Sequence, residues 1–162
     1  MKIKRYIFWA LFIIWMGIIF MFSSQPSAES LESSSFLAEF FIKIFYPEFA
    51  TSSKDTQMLM IESCQNIVRK GAHITEYAIL GFLGLGACLS TFKRKNFWIS
   101  LGICVLYAAS DEIHQLFVPG RAGRISDVLI DSVGALIGII IYIILSDKFA
   151  FLRKNEVNYD KT

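Results

Sequence analysis

Apolar and polar positions along the chain fall into blocks rather than strict alternation. A helix needs about 20 mostly apolar residues to cross a bilayer. Four stretches are of that kind: residues 6–22, which contain no charge, then 72–92, 97–118 and 125–145. The last three carry charges near one end only. A different pattern lies between the first and the second. Phe36, Leu37, Phe40, Phe41, Ile44 and Phe45 recur at helical spacing within residues 31–46, and Pro47 follows. That spacing predicts an amphipathic helix lying on a membrane surface. A further helical stretch is expected over residues 56–69, able to run on into the second span. The expected fold is all-α, an integral membrane four-helix bundle with an extracytoplasmic amphipathic helical segment between helices 1 and 2. One membrane domain, residues 1–147, then holds the four spans and an outer segment, 23–71, with 148–162 left as a cytoplasmic tail.

Composition supports lipid as the solvent. Of 162 residues, 54% are hydrophobic and 19% charged, and the mean hydropathy is +0.50. Soluble domains carry roughly 25% charge. A net charge of +2 implies no polyanionic partner, so nucleic acid is not expected. Cys64, Cys88 and Cys104 form no CxxC and no His-flanked pair, and read as small hydrophobes. The first span is longer than a usual signal core, and Ser27-Ala28-Glu29 is a poor cleavage site, so it reads as a retained helix.

Orientation follows from lysine and arginine in the short flanks. Lys2, Lys4 and Arg5 precede the first span, Lys93, Arg94 and Lys95 connect the second to the third, and Lys148, Arg153 and Lys154 follow the fourth. Four crossings put all three clusters on one side, the cytoplasm, with both termini there. The segment 23–70 and the loop 119–124 then lie outside.

With that topology, the charges in the spans collect at one depth. Arg69, His73, Glu76 and Tyr77 share a helix face at the outer start of the second span, with Lys70 beside them. Tyr107, Asp111, His114 and Gln115 share one at the outer end of the third, with Glu112 adjacent. Arg121 and Arg124 stand in the loop. Asp127 and Asp131 open the fourth span, on the same side as Gly134 and Gly138. A charge in the membrane interior costs roughly 2.5–3.5 kcal/mol, less near the interface, so such a set needs partners or a purpose. Gly134 and Gly138, like Gly81, Gly84 and Cys88 on the second span, make small-residue faces that let helices approach closely, and internal packing is their expected use.

Three chemistries fit these side chains. His73, Glu76, Asp111 and His114, together with Asp127 and Asp131, suit a divalent metal such as zinc or manganese, although the spacing matches no established metal signature. A histidine beside a carboxylate also suits general acid–base work on a lipid-linked substrate. No nucleophile is evident, since Ser110 and Ser126 lack a nucleophile-elbow context. Finally, the set suits binding without reaction, with Arg121 and Arg124 gripping phosphate or carboxylate. A blander use, in which the charges only bridge helices, stays beside all three.

The motifs Arg69-Lys70-x-x-His73-x-x-Glu76-Tyr77, Asp111-Glu112-x-His114-Gln115-x-Phe117-Val118-Pro119-Gly120-Arg121 and Asp127-x-x-x-Asp131-x-x-Gly134 resemble the VanZ-like family. Phe22-Ser23-Ser24-Gln25-Pro26 resembles that family's early motif. The resemblance implies a bacterial plasma-membrane protein associated with resistance to the glycopeptide teicoplanin, acting at the cell surface without making altered peptidoglycan precursors. It implies no established catalysis. The partners it points to are the lipid bilayer and a lipid-linked cell-wall component or glycopeptide. An intramembrane hydrolase or transferase on a lipid-linked substrate is the alternative.

Overall fold

In the computed structural model, five helices follow one another with short connections. Residues 2–92 and 96–159 are described, the side chains of 2, 4 and 149–159 excepted. Lys93, Arg94 and Lys95 lie outside the described residues, as do the side chains of Lys2, Lys4, Arg153 and Lys154.

Helix α1 (Lys2–Ser23) covers the first apolar block. It stops where Pro26, which has no N–H to donate, enters the chain. Helix α2 (Ser27–Phe45) begins four residues before the apolar stripe expected from residue 31. Tyr46, at φ −129° and ψ 84°, is out of the helical region, as the ring of the following Pro47 demands. Ser34, Ala38 and Ile42 form the buried side of α2, and the small Ser34 and Ala38 let it lie close on α3. The apolar stripe faces outward: Phe36 and Phe45 are each 72% exposed, the placement a surface in contact with hydrocarbon requires. A 3-10 turn, Pro47–Thr51, follows.

Helix α3 (Lys54–Thr91) is one helix of 38 residues, so the stretch expected over 56–69 does continue into the second apolar block. Ser53 caps it, accepting a hydrogen bond from Thr56 N at 3.3 Å. Gly71 does not break it. A lone glycine costs a helix about 1 kcal/mol, and no proline lies between Lys54 and Thr91. Helix α4 (Asn96–Gln115) ends three residues before the expected boundary at Val118, because the chain turns through Leu116–Val118. Helix α5 (Ile125–Tyr159) runs far past Leu145, through most of the expected tail.

Among the described residues, three helices are long and apolar enough to cross a membrane: Arg5–Ser23 of α1, α3, and Ile125–Lys148 of α5. Helix α4 is not among them. Asn96, Ser100, Asp111, Glu112, His114 and Gln115 dilute its hydropathy. The chain is nonetheless organised around one core, to which α1, α3, α4 and α5 all contribute: Phe12, Ile19, Tyr77, Leu80, Cys104, Ala108 and Ala135. Helix α3 touches every other helix. Its seam with α5 is the tightest. A Cβ at Gly134 would stand 2.5 Å from the carbonyl oxygen of Ile74, and one at Gly81 or Gly138 would overlap the carbonyls of Ala135 or Ala78. The glycine faces therefore serve internal packing.

Candidate functional site

Two segments far apart in sequence build one end of the helix assembly. The polar run Ser23–Ser27 ends α1 and starts α2, and the run from His114 to Arg124 joins α4 to α5. They are pinned together residue by residue. Gln115 Nε2 donates to Ser23 Oγ at 2.9 Å and to Asp111 Oδ2 at 3.2 Å. His114 Nε2 lies 3.1 Å from Ser24 Oγ, with its ring against Phe20. Ser27 N donates to Pro119 O at 3.2 Å. Arg121 reaches back over the same junction, donating from Nε to Gln25 O at 3.1 Å and from Nη2 to Phe22 O at 3.4 Å. Gly120 makes the turn possible at φ 74°, a left-handed conformation that favours glycine. A side chain there would also press on Ser27.

Glu112 completes the frame. It is 5% exposed, and its Oε2 accepts the backbone N–H of Arg124 at 2.7 Å. A buried carboxylate thus holds the last loop residue before α5 by a charge-assisted bond.

Inside this frame lies a polar cavity of about 410 Å³. Four cations line it: Arg69 and Lys70 from α3, Arg121 and Arg124 from the loop. Its other polar walls are His73, Gln115, Asp127, Asp131 and Asn66. Among the described residues, none of the four cations is within ion-pair distance of a carboxylate; the one Lys–Glu pair, Lys43–Glu39, lies on α2. Burial and the nearby Arg69 push the Arg121 guanidinium below its ordinary value. Like charges held together beside an open volume favour an anion there.

At the floor of the cavity, His73 Nδ1 is 3.8 Å from Asp131 Oδ1 and 3.9 Å from Glu76 Oε2. Asp131 is 1% exposed, and neither of its oxygens, nor His73 Nδ1, has a hydrogen-bond partner among the described residues. Asp111 Oδ1 and Tyr77 Oη are likewise buried without a partner.

A second cavity, of about 240 Å³, adjoins the first and shares Arg69, His73 and Arg121 with it. It lies between the end of α1, the middle of α2 and α3. Its exposed wall is mainly apolar, and Glu76 stands on it.

The sequence-level candidates thus separate. Arg69, Lys70, His73, Gln115, Arg121, Arg124, Asp127 and Asp131 share one cavity, and Glu76 joins from the second. Tyr77 is fully buried in the core, 6.3 Å from the Tyr107 ring centroid. Asp111, Glu112 and His114 belong to the frame. His114, a candidate ligand or acid–base residue beside His73 in the sequence reading, meets Ser24 and Phe20 at the end of α1. Among the described residues, no three His, Cys, Asp or Glu side chains are arranged to hold a metal ion, and the set His73, Glu76, Asp111 and His114 does not converge. Ser23, Ser24, Gln25, Ser27 and Asn66 were missed as site residues. For Asn66 the available signal was its place one turn before Arg69, to which it now bonds at 3.1 Å.

A family model described as VanZ/LLP1 matches residues 8–146, most of the chain. No curated protein and no solved structure matches.

Proposed function

This chain belongs to the VanZ-like family, and from that premise we propose that it acts at the outer face of the bacterial plasma membrane. There it binds an anionic cell-envelope component in the cation-lined cavity and lowers susceptibility to glycopeptide antibiotics such as teicoplanin. The observation carrying this reading is the set of four cations around one cavity without a carboxylate partner among the described residues. Had the charges served only to bridge helices, Arg and Lys would be expected to reach Asp and Glu there. The basic flanks favour cytoplasmic termini and put this end of the helices outside. In this reading α4 is a span as well, the third in chain order, with Asn96, Ser100, Asp111, Glu112 and Gln115 turned to the interior.

One observation favours a second reading, an intramembrane hydrolase or transferase on a lipid-linked substrate. His73 sits between two carboxylates, where it could move a proton. Such chemistry would rest on His73, Asp131 and Glu76.

The test is expression in a teicoplanin-sensitive bacterium. Wild-type protein raises the inhibitory concentration over empty vector, and an Arg69→Gln/Arg124→Gln variant of equal membrane abundance returns it to the vector level. No rise with wild type would refute the proposal. Conversion of a lipid-linked substrate that disappears in His73→Ala would install the second reading instead.

A further inference from the structure

The two cavities meet at Arg69, His73 and Arg121 but differ in character, polar on one side of these residues and mainly apolar on the other. The apolar one opens beside Phe22, 50% exposed, and Leu37, 43% exposed. Ser34 on its wall turns its hydroxyl to the carbonyls of Ser30 and Leu31, at 2.8 and 3.1 Å, leaving carbon toward the space. In the polar cavity alone, 3.8 Å from the shared His73, Asp131 presents two acceptors with no donor among the described residues. Leaving a buried carboxylate so costs several kcal/mol in general, and a ligand hydrogen-bond donor would remove that cost.

We propose that the two cavities are one site for a lipid phosphate. Its phosphate sits between Arg69 and Arg121, and a hydroxyl- or amine-bearing head group donates to Asp131. Its hydrocarbon chain leaves through the apolar cavity between α1, α2 and α3. The order of features along the site—acceptor, cations, apolar exit—is the order of groups along such a molecule. This deepens the envelope-component reading and rests on it for the location of the site.

The experiment is binding to the purified full chain in detergent, followed by thermal shift and native mass spectrometry. Probes are phosphatidylglycerol, a polyprenyl-phosphate-linked sugar, phosphatidylcholine and inorganic phosphate. Phosphatidylglycerol or the polyprenyl lipid should bind at least about tenfold more tightly than phosphatidylcholine, whose head has no donor, and than inorganic phosphate. The tighter of the two identifies the kind of chain. Arg69→Gln should weaken that lipid about tenfold. Leu37→Trp, at a half-exposed position, should weaken the lipid but not inorganic phosphate. Asp131→Asn should erase the preference over phosphatidylcholine. Equal binding of all lipids, binding of phosphate as tight as of lipid, or indifference to Arg69→Gln would overturn the proposal. Antibiotic protection without selective lipid binding would reject this inference alone, and selective lipid binding without protection would reject the resistance reading alone.

Discussion

His73 Nδ1 faces Asp131 Oδ1 across the α3–α5 interface at 3.8 Å, and neither atom has a hydrogen-bond partner among the described residues. That separation exceeds a hydrogen bond. The pair is held near but not joined, in a place where an unmet carboxylate is costly. Stability alone gives no reason for it. We expect Asp131→Asn to leave the melting temperature unchanged or higher while abolishing antibiotic protection, a combination that thermal melts beside susceptibility assays would read. A lower melting temperature with function retained would make Asp131 structural.

Arg121 differs from the other cavity cations because it also holds two backbone carbonyls, those of Gln25 and Phe22. Its loss should therefore lower both abundance and function. Charged hydrogen bonds contribute roughly 1.5–3 kcal/mol each, so Arg121→Ala should melt several degrees earlier. Arg121→Lys should not restore it, since one ammonium lacks the planar fork. Arg124→Ala, whose backbone rather than side chain meets Glu112, should keep its melting temperature.

The two histidines should behave oppositely. His114→Ala removes a contact to Ser24 and a stacked ring on Phe20, and we expect a loss of about 1 kcal/mol in stability with function retained in the folded fraction. His73→Ala should lose function at near-normal stability. Measuring protection per unit of membrane-inserted protein separates the two; identical profiles would contradict the division between frame and cavity.

Glycine positions offer an internal comparison. Gly138→Ala and Gly81→Ala drive a Cβ into a neighbouring carbonyl and should cost at least about 1–3 kcal/mol. Gly102→Ala meets nothing within 4 Å and should be neutral or stabilising by up to about 1 kcal/mol. Melting curves of the three variants would check the ranking.

Much of this was legible in the sequence. The apolar blocks located α1, α3, α4 and α5, and the residues at their polar ends do gather at one end of the molecule. Helical periodicity says which residues share a face, but not which neighbour that face meets. Thus periodicity puts His114 on the face of Asp111 but does not tell that its ring meets Ser24 and Phe20. The stretch expected over residues 56–69 does run on into the second apolar block as α3, because one glycine at Gly71 cannot outweigh the uninterrupted hydrogen bonding of that helix. Ser23 and Ser24 carry no charge and no periodicity; the family's early motif marks them, but it does not name His114 and Gln115 as their partners. Their partners stand some 90 residues away in the chain, and such pairings belong to tertiary structure.

The seam between α3 and α5 bears on motion as well as packing. Glycines there let backbone meet backbone, and interlocked backbones neither slide nor separate without losing the whole contact. His73, Arg69 and Asp131 therefore ride on one rigid wall. Arg121 rides on the other, carried by the loop that is stitched to the junction of α1 and α2. Helix α2 also packs on α3, and the loop that carries Arg121 is tied to the start of α2 through Ser27 and Pro119, so Arg69 and Arg121 are held at a set spacing from both sides. A site built so would take an anion without rearranging, and it would choose among anions by the fixed spacing of its charges.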